Sequence, residues 1–152
     1  MTTPWLVSDL QRDEGCRLIA YADPLTRGAP WTIGYGHTGR EVHPGLIWTR
    51  EQAKDALVTD VDLVLRALDG ALGWWRSLCD ERQDVMANMA FNLGVHGLMD
   101  FRRMLMLAHT GDFTGAAGAM LDSEWAEELP ERAERLAVQM RTGRRASQDP
   151  PP

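Results

Sequence analysis

Between Arg17 and Leu46 the chain carries Pro24, Gly28, Pro30, Gly34, Gly36, Gly39, Pro44 and Gly45. No helix of ordinary length survives that density of breakers, because proline removes a backbone donor and glycine loosens the chain. Inside the stretch, Trp31-Thr32-Ile33-Gly34-Tyr35 is rich in β-branched and aromatic residues. The pattern predicts a small antiparallel sheet with strands at about Arg17–Tyr21, Thr32–Tyr35 and Arg40–His43.

The flanks read differently. Thr3-Pro4 is a capping hydroxyl followed by a proline at the first helical position. Gly15 is a stop, which places Glu14 in the last turn of a first helix. Thr49-Arg50-Glu51-Gln52 has the form of a capping box. After it Ala53, Ala56, Leu57, Val61, Val64, Leu65 and Leu68 keep helical spacing to about Asp69. Such a helix is about 30 Å long, enough to bridge two lobes. Further helices are expected at about 80–93, 100–109, 112–121 and 130–141, with Gly94 and Gly97 as punctuation. Trp5, Trp74, Trp75 and Trp125 are assigned to a helical core, and the eight methionines serve as its filler. Trp31 and Trp48 are read as core residues before sugar-stacking ones.

The fold class is therefore α+β with segregated elements. It is one domain over 1–145, with a β lobe at about 15–47, a bridging helix at about 50–69, and a helical lobe at 70–145 that takes in the N-terminal helix. Residues 146–152 are expected to form a frayed tail.

Composition narrows the function. A net charge of −6 and a pI of about 5.1 argue against a nucleic-acid partner. No apolar run approaches the length of a membrane span, so no stable membrane insertion is expected. The first 14 residues lack the basic start and apolar core of a signal peptide. Cys16 and Cys79 are expected to be reduced. Two cysteines and four scattered histidines give no metal-ligand spacing, so neither metal nor other cofactor is expected.

The chemistry concentrates in Glu14–His37. Glu14 closes a helix and is a candidate general acid. Asp23, before Pro24, is either a turn residue or a base that activates water. Thr32 is either a strand residue or a hydroxyl that orients that water. Two carboxylates on separate elements are the usual equipment for cutting a glycosidic bond. His37, alone at a strand end, reads as structural.

Glu14, Tyr21, Asp23 and then Thr32-Ile33-Gly34-Tyr35-Gly36-His37 resemble the phage lysozymes of the T-even and lambdoid endolysin type, glycoside hydrolase family 24. Four further segments resemble the family in the same order: Asp60-Val61-Asp62, Asn88 to Gly94, Ser123-Glu124-Trp125, and Pro130 to Gly143. The likeness covers about residues 4–144.

The resemblance implies a lysozyme-like fold and a muramidase acting on the peptidoglycan glycan strand, cutting between N-acetylmuramic acid and N-acetylglucosamine. It makes Glu14 the general acid, with Asp23 and Thr32 positioning water. Arg132 becomes the partner of Glu14, and His37 a structural residue paired with Asp60. Phe91 and Asn92 would meet the sugar chain. It further implies an inverting outcome and a monomer that collects in the host cytoplasm and reaches the periplasmic wall through a holin. Two departures stand out. The loop from Asp23 to Thr32 is about three residues longer than in the T-even enzymes, and the chain is acidic where those are basic. The rival readings are a lytic transglycosylase, which closes an anhydro ring, and a non-catalytic wall-binding or structural phage module. The retained acid, base and hydroxyl speak against the last, as does the expectation of no fused domain.

Overall fold

The computed structural model describes residues 2–146. Its elements run α1 (Pro4–Glu14), β1 (Arg17–Tyr21), β2 (Thr32–Gly34), β3 (His37–Thr38), α2 (Arg50–Ala71), a 3-10 turn (Trp75–Ser77), α3 (Asp80–Met99), α4 (Arg102–Thr110), α5 (Phe113–Leu121), α6 (Glu124–Glu128) and α7 (Pro130–Thr142). The arrangement is a mostly helical α+β fold with a three-stranded antiparallel sheet, consistent with a lysozyme-like architecture. The chain divides after Leu63, inside α2, into two compact units.

In the first unit, the Thr3 hydroxyl accepts from Leu6 N–H at 3.0 Å and starts α1. Gly15 stops it with a positive φ (66°, with ψ 166°), which favours glycine, and its N–H donates to Gln11 C=O. The helix buries Leu6, Val7 and Leu10. The sheet order is β1-β2-β3, with Arg17 opposite Gly34, Tyr21 opposite Thr32, Thr32 opposite Thr38 and Ile33 opposite His37. Between Arg17 and Tyr21 the register slips, so β1 bulges against β2. Ile47 bridges Ile19 on the other side of β1. Ala20, Ile33 and Val42 form a small buried cluster, and Trp31, Leu46 and Trp48 pack against it. Both tryptophans are thus committed to packing.

The third strand expected at Arg40–His43 is not there. The chain reverses at once through Gly34-Tyr35-Gly36, with φ of 67° and 81° at the two glycines, and pairs again at His37–Thr38. Residues 39–42 then form a turn closed by Val42 N–H to Gly39 C=O. Val42 is apolar and buried because it caps the cluster rather than because it lies in a strand.

The box at the start of α2 is reciprocal: Gln52 N–H to the Thr49 hydroxyl at 3.1 Å, and Thr49 N–H to Gln52 Oε1 at 2.8 Å. Ala53, Leu57, Val61, Leu65 and Leu68 make its buried stripe.

The second unit is helical. Its core holds Met86, Met89, Leu98, Met104, Met120, Leu136 and Met140, all essentially inaccessible. Gly94 (φ 75°, ψ 156°) breaks α3 where the glycine spacing predicts, but the chain resumes helix to Met99. The short helix α6 is an element that periodicity did not flag, and Ser123 caps it by accepting from Ala126 N–H. Of the four tryptophans assigned to the helical core, Trp75 and Trp125 are buried. Trp5 and Trp74 are half-buried, and Trp74 stacks on His109 with centroids 4.5 Å apart. Arg82 closes α7 from outside, donating to Met140 C=O at 2.7 Å and Arg141 C=O at 3.2 Å. Arg145 pins the following segment to Glu81 and the buried Asp84, both at 2.7 Å.

Of the tail expected at 146–152, residues 147–152 lie outside the described part. Among the described residues no helix is long and apolar enough to cross a membrane, and no three His, Cys, Asp or Glu side chains cluster as metal ligands.

Candidate active site

Glu14 is the last residue of α1 and is half-buried. Arg17 sits opposite Gly34, so the start of β1 brings the helix end to the glycine turn. A Cβ built on Gly36 would lie 3.9 Å from Glu14 Oε2. That is ordinary contact distance, so the turn runs close to the carboxylate, and the positive φ of 81° is what favours glycine there. One turn earlier on the same helix, Gln11 Nε2 donates to the Tyr35 hydroxyl at 3.2 Å. Residues 11 and 14 of α1 and the turn 34–36 form one assembly. Gln11 and Gly36 were not singled out from sequence; the signal available for Gly36 was its place between Tyr35 and His37 in the motif.

Asp23 lies at the other end of β1. Tyr21 is opposite Thr32, so Asp23 leaves the strand beside the residue that opens β2. Glu14 and Asp23 thus bracket a strand about 13 Å long at about 3.3 Å per residue. The Asp23 Oδ1 accepts from Leu25 N–H at 2.7 Å and Thr26 N–H at 3.3 Å. Its backbone N–H donates to Gly28 C=O, and its C=O accepts from Arg27 N–H. The long loop after Asp23 is therefore tied to Asp23 itself, and Arg27 takes a left-handed conformation (φ 57°) to close it. Thr32 is half-buried, and its hydroxyl reaches Pro30 C=O only at 3.5 Å, a weak bond that a water could displace.

His37 has the most constrained side chain of the group. Its Nδ1 lies 2.7 Å from Asp60 Oδ2 in α2, the contact that the sequence resemblance implied. Its Nε2 lies 2.6 Å from Glu41 Oε1, a partner not anticipated. The misplaced third strand concealed it, since only the turn at 39–42 folds Glu41 back onto the ring. Burial pushes the imidazole down, but hydrogen bonds to Glu41 and Asp60 and the charges of both carboxylates outweigh it, so His37 titrates above its ordinary value. The same bond, with one from its own backbone, holds the exposed Glu41 below the usual carboxylate range.

The remaining candidates belong to the second unit. Phe91 is half-buried and Asn92 exposed on α3. Asn92 Oδ1 accepts from the Trp125 indole N–H at 2.8 Å, which fixes the amide and leaves its NH2 as a donor. Arg132 is buried on α7 and donates Nε to Asn88 Oδ1 at 2.9 Å. Beside this group, a cavity of about 790 Å³ is lined by residues including Phe101, Arg103, Asp122, Glu124 and Trp125.

Residues 11–147 match the family model described as phage lysozyme. The chain is 34% identical to the pre-baseplate central spike protein Gp5 of Enterobacteria phage T4, a match over 88% of this chain and 27% of that protein. It is 30% identical to an endolysin of Acyrthosiphon pisum secondary endosymbiont phage 1, over 78% of this chain and 75% of that one. It is 32% identical to the endolysin of Bacillus phage B103, over 71% of this chain and 40% of that one. The chain thus spans about a quarter of the spike protein and less than half of the Bacillus endolysin.

Proposed function

The chain belongs to the phage lysozyme family, and from that membership we propose that it hydrolyses the β-1,4 bond between N-acetylmuramic acid and N-acetylglucosamine in peptidoglycan. Glu14 gives its proton to the leaving glycosidic oxygen. Asp23 takes a proton from a water that the Thr32 hydroxyl helps to orient, and the hydroxide equivalent adds to the anomeric carbon from the opposite face. Atoms balance as the addition of one water, and no cofactor takes part. What carries the reading is that Glu14 and Asp23 bracket β1, with Thr32 paired beside the Asp23 end and a bare glycine beside Glu14. Phe91 and Asn92 are assigned the sugar-contacting role and Arg132 a supporting one on the sequence likeness to the family alone.

Product analysis of digested peptidoglycan, comparing wild type with Glu14→Gln, tests it. Reducing N-acetylmuramic ends from the wild type, and none from the variant, are expected. Anhydro-muramic ends as the main product would convert the reading to a lytic transglycosylase. Binding to sacculi without soluble fragments would leave a non-catalytic wall module.

In the biological setting we favour an endolysin: a monomer made in the host cytoplasm and released to the wall through a holin. The likeness to a spike protein supports a second setting for the same chemistry, a wall-cutting unit carried on the phage particle. Mass spectrometry of purified particles separates them, since the chain's presence there in stoichiometric amount would displace the endolysin setting.

A further inference from the structure

We propose that Glu41 is a positioning residue for the reaction. By completing a two-carboxylate grip on His37 it keeps that ring doubly protonated and holds the Gly34–Gly36 turn against Glu14. Activity then fails on the alkaline side when the ring loses a proton. This rests on Glu14 being the acid of the reaction above.

The geometry carries the argument. A neutral imidazole has one N–H donor and one acceptor nitrogen. Here both ring nitrogens face carboxylate oxygens, at 2.6 and 2.7 Å. Only the cation satisfies both, and losing a proton turns a lone pair towards a carboxylate. The groups facing the ring are Asp60 from α2, Glu41 from the turn at 39–42, and the uncharged Trp48 ring with its centroid 5.4 Å away. Asp60 ties the ring to α2. Glu41 ties it back to its own hairpin, and at 61% side-chain exposure against 24% for Asp60 it is the partner more easily released. The path to Glu14 is short. His37 follows Gly36, where an added Cβ would come within 3.9 Å of Glu14 Oε2, and the far side of the same turn is held by Gln11 through Tyr35. Ile33 and Tyr35 seat the hairpin by burial, and the polar contacts at His37 fix the exposed end of it that follows Gly36.

The test measures kcat and KM on soluble glycan fragments from pH 5 to 9, for wild type and Glu41→Gln, with NMR titration of the His37 ring in each. In the wild type the alkaline limb of kcat is expected to coincide with the His37 titration. In Glu41→Gln both should move down together by about half a pH unit or more, while KM changes by less than about twofold. A ring titration that moves while the limb of kcat stays would make Glu41 purely structural and overturn the proposal. So would a ring titration that does not move at all, or a wild-type limb that does not coincide with it. A Glu14→Gln enzyme that keeps activity would instead sink the underlying assignment of the acid, whatever Glu41 does.

Discussion

The two halves of the molecule are held together by different forces. In the hairpin region, three small or medium side chains, Ala20, Ile33 and Val42, make the buried cluster. Trp31, Leu46 and Trp48 pack on it, and polar contacts do much of the remaining positioning: His37 between Asp60 and Glu41, Gln11 on Tyr35, and Asp23 tying down its own loop. In the helical unit, long apolar side chains such as Met86, Met89, Met104 and Met120 are fully buried, and the polar contacts of Arg82 and Arg145 bind its edges. Shape there comes from area removed from water, which is strong and tolerant of small shifts. Shape in the hairpin rests on a smaller apolar cluster and on a few directional contacts, which set positions finely but contribute little energy each. Glu14, Asp23 and Thr32, proposed for the proton transfers, lie in the unit that relies more on directional contacts.

That contrast predicts opposite outcomes for the two kinds of substitution. Glu14→Gln should reduce lysis of permeabilised cells by about a hundredfold or more, the usual contribution of a general acid, while circular dichroism shows an intact fold. A variant lysing at near wild-type rate would remove Glu14 from its role. Met89→Ala, in the helical unit, should instead cost about 2–5 kcal/mol. That is on the order of 10 °C in Tm for a chain of this size, and turnover measured well below the melt should be little changed. If the Glu14 substitution melted the protein and the core one spared it, the division of labour would be reversed.

The sequence made the helices readable because their signals are local. Thr3-Pro4, the Thr49–Gln52 box and Gly94 each act within one turn of helix, and the structure uses each as spelled. It was less readable where tertiary placement decides. Arg40–His43 has strand composition, yet the glycines at 34 and 36 return the chain three residues earlier and leave it to turn. That one misplacement hid Glu41, since a residue in a strand four positions from His37 could not reach its ring. Asp60, by contrast, was found through the family likeness and not through any pattern of its own. Trp74 looked like core by composition but borders a 3-10 turn and rests on His109.

The hairpin's dependence on polar contacts can be sharpened by pH. Asp60→Asn removes one of the two charges on a half-buried ring. It should cost about 1 kcal/mol, a charged hydrogen bond discounted for exposure. Because folding raises the His37 pKa above 6.5, the ring's contribution is complete below that value and is lost as pH rises through the folded pKa. Glu41, lowered from 4.5, contributes fully above that value and loses its contribution as pH falls through its own folded pKa. The Tm gap between wild type and Asp60→Asn should therefore be widest at about pH 5–6 and narrow towards pH 9. A gap that stays constant over that range would mean the contact stabilises by packing and not by charge.

The smallest expected effect compares one cysteine from each half. Cys16 follows the stop of α1 and is half-buried, while Cys79 precedes α3 and is exposed; both are free thiols. Neither region leans on a cross-link: the first is closed by the Thr3 and Thr49 caps, and the second by its methionine core and the Arg82 clasp. A disulfide closing a loop of that length would add about 4 kcal/mol by constraining the unfolded chain, so its presence could not be missed. Wild type and the Cys16→Ser, Cys79→Ser double variant should melt within about a degree of each other, with or without reductant, since exposed or half-buried Cys→Ser changes lie within about 0.5 kcal/mol. A wild-type Tm that falls several degrees on reduction would show that the two regions are held to each other covalently. The separation of a polar, finely set hairpin from an apolar, self-sufficient helical unit would then no longer describe the oxidised protein.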